Sequence, residues 1–456
     1  MRQMGVCTAH ASSRTPARMK VGTGRMSHRR ASHLSPLRRC MARLLVVGAG
    51  IAGIAAALES CRLGHDVAMV DASNPLGGRG TSIEQQGWIL DAGPHFLADS
   101  GEIREWLKKS SKVPLANRRI DPRKTYILRK GVLRRLPLSK EAIEPYDSDS
   151  AERRRLLGIT RYLSSQMKNN PTLSVEKWLE DKPQAIIDIV ESLTIHTTRL
   201  HPELGADLSF HFPEIILALR GKNLFSPLGG WAEVTGRFLA ALDGLDVQTR
   251  SASPVERLLK DKKGMIRGAR LQGNVKVEAD GVIMATPLMP MGKILDSSRI
   301  DIQLPEPCEL KASVWDMLLS QRLFHGIHAI WDADRRIAIY IPNHFTPEKI
   351  PEEMRKEHTY LQILSFSGSQ TIVELLDERC AGWRTHLVDE RKLDNVVISQ
   401  ASEVFEGRPG RLYEQPLLDH GVALAGDWMS DEAWLSEGAF ISGLKAAREL
   451  HEKLNE

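Results

Sequence analysis

The chain has 456 residues, too many for one ordinary hydrophobic core, and its 42% hydrophobic and 26% charged residues are usual for a soluble globular protein, so two closely packed domains are expected. Its net charge of +5 arises in residues 1–40, which hold nine Lys/Arg and no acid; the remainder has 53 basic against 57 acidic residues and gives no reason to expect nucleic acid. Five scattered cysteines (Cys7, Cys40, Cys61, Cys308 and Cys380) with no CxxC pair exclude a disulfide framework and a zinc site, and fit a reducing compartment.

Residues 1–40 are rich in Arg and Ser and contain no apolar h-region, which excludes a secretory signal. Three readings stand: an organelle transit peptide, a disordered basic arm, or the product of an upstream start codon with Met41 as the true start. The last is favoured. A cytoplasmic protein is expected, organellar if the leader is a real transit peptide. No apolar run reaches the ~18–20 residues that span a bilayer. The longest, Leu44 to Leu58, is accounted for as a strand plus a helix. Surface attachment to a membrane stays open.

From Leu44 to Asp71 the sequence reads LLVVGAGIAGIAAALESCRLGHDVAMVD. An apolar run short enough for one buried strand meets Gly48-x-Gly50-x-x-Gly53, then an Ala-rich helical segment, then a second apolar run ending on Asp71. Gly48 allows the tight turn, Gly50 lets backbone approach a pyrophosphate, and Gly53 lets the helix pack close to the strand. The helix N-terminus offers free N–H groups and partial positive charge to phosphates. Asp71, at the end of the second strand, can accept from ribose hydroxyls. Dinucleotide binding is the expected function of this unit.

Next come Gly77-Gly78-Arg79, with an Arg able to reach a phosphate, and Gly87-Trp88-Ile89-Leu90-Asp91-Ala92-Gly93-Pro94-His95, where Gly93-Pro94 forces a turn whose backbone could meet a flat ring. GAGIAGIAAALE, the terminal Asp71, LGGR and GWILDAGPH together resemble the FAD-dependent superfamily of amine oxidases, protoporphyrinogen oxidases and phytoene desaturases. The resemblance implies an α/β fold: a Rossmann-like FAD-binding domain of the GR2 type, a parallel sheet with helices, interleaved with an α+β substrate domain. It also implies that the GGR loop and the GP turn line the flavin.

Residues 101–220 are read as part of the substrate domain, helical at 102–109 and mostly helical over 148–221. Between these, Arg118–Lys140 carries nine Lys/Arg against one acid, with short strands at Thr125–Leu128 and Val132–Leu136. It reads as a solvated hairpin, the alternatives being a face for anionic lipid or for an acidic substrate group. The nucleotide domain, assigned to 41–100, 221–290 and 406–456, returns with LGGW and a helix over 232–242. Strands then follow near 247–249 and 253–258, a hairpin over 265–277 and a buried strand at ADGVIMATP. By resemblance, the backbone of Val255 meets the adenine side. Residues 291–405 complete the substrate domain: strands at 313–319, 326–331, 337–340 and 360–366, and helices at 371–380 and 393–404.

The end of the chain supplies a strand closing on Gly426-Asp427 and then SEGAFISGLKAA, which opens the last helix. In the family this is the flavin-binding C-terminus. Asp427 matches a residue near the ribityl chain and pyrophosphate. Ser436 matches one whose N–H reaches the ring near N1/O2, where a helix N-terminus stabilises the charge that reduction adds. The cofactor-binding set is therefore Gly48, Gly50, Gly53, Asp71, Gly77, Gly78, Arg79, Gly93, Pro94, His95, Val255, Gly426, Asp427 and Ser436. No nucleophile–base or metal motif is found. His95, Trp428 and Trp434 are candidates for the substrate face, each with structural packing as the competing reading.

An FAD-dependent oxidoreductase is expected, acting on a small apolar substrate. An isoprenoid or carotenoid precursor ranks first on the GDW–EGA likeness to desaturases, then a porphyrinogen, then an amine. The alternative of another class is a non-catalytic prenyl-protein-binding relative of the same fold, as in Rab escort and GDP-dissociation inhibitor proteins. The electron acceptor and oligomeric state are left unknown.

Overall fold

A computed structural model of the chain describes residues 42–91, 93–99, 101–110, 113–302, 304, 309–400, 404–405, 408–409, 415–430 and 432–456. The three readings of residues 1–40 lie outside them.

The first sheet follows from the apolar runs. Strand β1 (Arg43–Val47) leads into helix α1 (Ile51–Arg62) and strand β2 (Asp66–Val70). The sheet has five parallel strands, ordered Val422–Leu424, Gly281–Met284, β1, β2, Gln248–Arg250. Leu45 lies opposite both Val282 and Ala68. Side chains alternate across a strand, so β1 serves two cores. Leu44 and Val46 face α1 and the C-terminal helix Leu435–Asn455. Leu45 and Val47 face a three-stranded antiparallel sheet (Val255–Lys260, Ile266–Leu271, Val275–Glu278) and the helix Leu288–Ser297. Burial on both faces explains why these strands read as unbroken apolar runs.

Two contacts set how near the helices come. A Cβ on Gly53 would lie 1.8 Å from the Gly48 carbonyl oxygen. A Cβ on Gly443 would lie 2.1 Å from the carbonyl oxygen of Ala52. The C-terminal helix therefore lies against α1 backbone to backbone.

The second sheet has seven strands in the order Leu387–Ser399, Leu310–Leu319, Thr359–Ser365, Ile337–Tyr340, Ala329–Asp332, Thr125–Arg129, Val132–Arg135. All its pairings are antiparallel except that of Ala329–Asp332 with Thr125–Arg129. The helices Gln184–Thr198 and Leu208–Leu219 pack on it in one core, where Ile186, Ile189 and Leu193 join Trp331, Tyr340 and Leu364.

One expected element is corrected. The helix expected at 393–404 is the edge strand Leu387–Ser399, paired with Leu310–Leu319. Leu393, Val396 and Val397 sit at helical spacing, but a register shift at Asn395 (φ 53) produces that spacing within a strand. The basic hairpin forms the opposite edge. Arg129 pairs with Asp188 and Glu191, Arg118 with Glu348, and Arg134 lies over the Tyr146 ring. Among the described residues no helix is long and apolar enough to cross a membrane.

A buried ion pair ties the end of the hairpin strand Trp88–Asp91 to the turn Pro347–Lys349. Lys349 Nζ donates to Asp91 Oδ2 at 2.6 Å, with both side chains 1% exposed. Asp91 Oδ1 also accepts from the Trp231 N–H (2.9 Å) and from the Ser82 hydroxyl. Burial pushes the Asp91 carboxyl upward, but the Lys349 charge and the hydrogen bonds from Lys349 and Ser82 outweigh it and hold the group below its ordinary value.

Gly443→Ala drives a methyl into backbone that cannot yield, and unfolding by urea should show a loss of about 1–3 kcal/mol. Lys349→Met strands a buried carboxylate and should cost about 3–5 kcal/mol at pH 7. A carboxyl depressed on folding stabilises above its unfolded pKa, about 3.9, and that stability fades as pH falls through the lower folded value. In Lys349→Met the unpaired Asp91 takes up a proton more readily, so the deficit against wild type should shrink between pH 7 and pH 5. Adding Asp91→Asn should recover most of it. A deficit independent of pH would show that the lysine acts by packing alone.

Candidate active site

A cavity of about 740 Å³ lies where the ends of the first sheet meet the second, within the roughly 300–1,000 Å³ of single-ligand sites. Its first wall is the turn after β1. Gly48 has φ +105, a left-handed conformation that glycine permits. Gly50 is extended (φ −73, ψ 180), and a Cβ placed on it would have nothing within 4 Å. Gly50, Ile51 and Ala52 line the cavity, and no side chain caps the N-terminus of α1. Gly53 does not line it; its place is the close contact with Gly48.

Asp71, on the wall at the end of β2, accepts the Ala49 N–H at 2.6 Å and the Ser73 N–H at 2.7 Å. It fixes the glycine turn before it meets any ligand. Val255 lines the same end. Gly77, Gly78 and Arg79 follow. The loop is pressed onto the helix Trp231–Asp243, where Thr235 donates to the Gly80 carbonyl at 3.0 Å and a Cβ on Gly80 would strike the Trp231 indole at 2.4 Å.

Arg79 was expected on a phosphate. Within the fold its guanidinium is given to Asp427, by bonds of 2.9 and 3.1 Å, and to the Ile398 carbonyl at 2.7 Å. Asp427 also accepts from the Gln400 N–H (3.0 Å) and the Ser399 hydroxyl (3.1 Å). Burial would raise the Asp427 carboxyl, but the Arg79 charge and these bonds keep it below the usual range. It is therefore a buried, ionised fastener on the cavity wall beside Gly426.

Gly93, Pro94 and His95 form the facing wall. His95 Nδ1 is 2.9 Å from the Gly93 carbonyl oxygen. A carbonyl only accepts, so Nδ1 is assigned the proton and Nε2 is an acceptor. Burial holds this imidazole neutral, its pKa below the ordinary value despite the nearby Asp91 charge. The ring lies 5.5 Å from that of Trp231, tilted by 31°. The C-terminal helix brings Leu435, Ser436 and Ala439 to the same cavity, again with no side-chain cap at its N-terminus.

Both tryptophan candidates for the substrate face are corrected. Gly426 is extended, and the turn Asp427–Met429 sends Asp427 to the cavity and Trp428 into the core with Met284, Leu417 and Leu424. Trp434 stacks on His211 and packs on Phe210, Leu200 and Ala206. For both, structural packing is the reading that holds. Sequence reasoning also missed residues. Arg199, Phe96, Val314 and Leu364 line the cavity, and Lys349 reaches Asp91 across 258 positions. Trp231 carried a signal in LGGW; Arg199 and Lys349 carried none.

A family model described as an NAD(P)-binding Rossmann-like domain matches residues 46–110. An L-amino-acid oxidase of Demansia vestigiata is 43% identical over 70 residues, 15% of this chain and 14% of that protein. The chain thus spans only a small part of this relative. Solved structures are similar over far more of the chain. An oxidoreductase from Methanosarcina mazei aligns with TM-score 0.65 and 16% identity over 88% of this chain and 99% of that one. Cyclohexylamine oxidase from Brevibacterium oxydans aligns with TM-score 0.60 and 16% identity over 91% of this chain and 100% of that one. The chain therefore shares the fold of these solved oxidoreductases, with a Rossmann-like nucleotide-binding segment over residues 46–110.

Proposed function

We propose that this protein is an FAD-dependent oxidoreductase that removes a hydride or electrons from a small substrate held against the Pro94–Phe96 wall. The observation that carries the reading is that two helix N-termini without side-chain caps, those of α1 and of the helix Leu435–Asn455, open on one cavity. Their unpaired N–H groups and partial positive charge favour a ligand negative at two separated points. The open space at Gly50 and the acidic end of β2 suit the pyrophosphate and ribose of a dinucleotide.

A bound flavin would supply the hydride or electron acceptor. The chain's own part is to bind and orient. The Ile51 and Ala52 N–H groups would meet the pyrophosphate. The remaining lone pairs of Asp71 would accept from ribose. The N-terminal turn at Ser436 would stabilise negative charge gained on reduction. Phe96, Val314 and Leu364 would exclude water from the substrate, and neutral His95 would offer an acceptor at Nε2.

For the substrate, an amine fits at least as well as the isoprenoid ranked first from the sequence. The fold likeness to an oxidase of cyclohexylamine and the segment shared with an L-amino-acid oxidase favour it. The apolar body expected of the substrate is kept, since the walls facing it are Phe, Val and Leu.

Gly50→Val tests the placement. The extended backbone accepts a valine and the Cβ meets open space, so the variant should melt like cofactor-free wild type. Wild type should purify with flavin absorbance and the variant should not. Stoichiometric FAD in the variant would refute the site; an absence of flavin in wild type, even after incubation with FAD, would refute the function.

A further inference from the structure

One buried cation on the cavity wall has no counter-charge among the described residues. Arg199 is 4% exposed and ends the helix Gln184–Thr198 in a left-handed conformation (φ 64). It lines the cavity beside Pro94 and Phe96. Its acceptors are all neutral. Nη1 donates to the carbonyls of Ile195 and His196, each at 3.0 Å, and to the Tyr340 hydroxyl at 2.5 Å. Nη2 donates to the Pro94 carbonyl at 3.0 Å. The rings of Phe96 and Tyr340 lie 5.2 and 5.3 Å from the guanidinium carbon.

A guanidinium has five N–H bonds. One on Nη2 and the one on Nε have no acceptor among the described residues. The neighbouring imidazoles do not balance the charge either. His95 and His196 are both held neutral by burial, with the Arg199 charge adding to the effect, and His196 is pushed down to about 3. Asp91, two residues before the Gly93-Pro94 turn, is committed to Lys349. A buried cation without a partner is costly, and its fixed position is over-determined by four neutral acceptors and two rings. Such a group is preorganised for an anion arriving from the cavity, and a planar fork matches a carboxylate.

We infer that Arg199 anchors a carboxylate of the substrate, so that the substrate class is a carboxylate-bearing compound whose apolar body lies on Phe96, Val314 and Leu364. This rests on the oxidoreductase reading for what happens to that compound, but the binding step does not require it. The carboxylate docks on the free Nη2 and Nε N–H bonds, and its distance from the Pro94 turn then sets which carbon faces the cofactor side of the cavity.

The test uses the full chain as purified, with flavin content recorded first by visible absorbance. Straight-chain carboxylates from propanoate to hexanoate are titrated against their primary amides, read by melting temperature and, where flavin is present, by its spectrum. Carboxylates should stabilise wild type saturably and amides should not. Arg199→Gln should weaken carboxylate binding about tenfold or more, and Arg199→Lys should keep part of it. Equal effects of acid and amide on wild type, or an unchanged acid preference in Arg199→Gln, would overturn the inference. Should Arg199→Gln fail to fold, Arg199→Lys and the wild-type acid–amide comparison still decide. A flavin-free protein that selects carboxylates through Arg199 would sustain this inference and remove the redox function. A flavin-loaded protein blind to carboxylates would do the reverse.

Discussion

Where Gly443 meets the carbonyl of Ala52, two helices touch backbone to backbone, and the site depends on that contact. Two helix N-termini carry like partial charges, and electrostatics alone would not place both on one cavity. Close packing does so. Gly53 brings α1 onto the Gly48 turn, and Gly443 brings the C-terminal helix onto α1. Apolar burial along Ala55, Ala56, Phe440 and Ala447 then holds both in place. The folded chain thus holds two separated patches of partial positive charge on one cavity, which a ligand with separated negative groups would relieve.

Carboxylates do the fastening around that pocket. Asp71 pins the turn after β1 through the Ala49 N–H, Asp427 ties the first sheet to the edge strand of the second through Arg79, Ser399 and Gln400, and Asp91 ties the GP turn to Trp231 and Lys349. Each accepts at least two hydrogen bonds from donors inside the protein. The wall geometry is therefore set without a ligand, which is the condition for preorganised electrostatics.

The nucleotide half was legible because its constraints are local. A glycine needed for a turn, a glycine needed for close packing and an acid at a strand end stand at fixed spacing, so Gly48, Gly50, Gly53 and Asp71 could be read from one stretch. Gly93, Pro94, Gly426 and Ser436 were legible by resemblance, and the structure brings them to one cavity. The tryptophans were not, because which side of the chain faces the cavity after Gly426 depends on a turn that no spacing specifies. Leu387–Ser399 was misread because a register shift gave a strand helical periodicity. Lys349 was invisible because its partner is 258 residues away and a lone lysine before an Ile-Pro reads as surface.

Arg199 shows why the substrate side resists reading more generally. Nothing in TTRLHP distinguishes a buried arginine from a solvated one. Its role comes from the helix ending in a left-handed residue, which turns the side chain back under Tyr340 and onto the Pro94 carbonyl. That wall is made from four separate stretches, around residues 95, 199, 314 and 364, brought together by burial, by the strand pairing of Val314 with Leu364 and by contacts with the GP turn. Burial constrains size and polarity but not identity, so this half can change its residues while the backbone stays the same. A phosphate site needs glycine backbone at fixed places and has no such freedom. Sequence likeness to an L-amino-acid oxidase over 70 residues, beside fold likeness to solved oxidoreductases across most of the chain, is what this division of constraints produces. On the carboxylate reading, what the protein acts on would be set by Arg199 and its apolar neighbours and not by the motifs read as cofactor-binding.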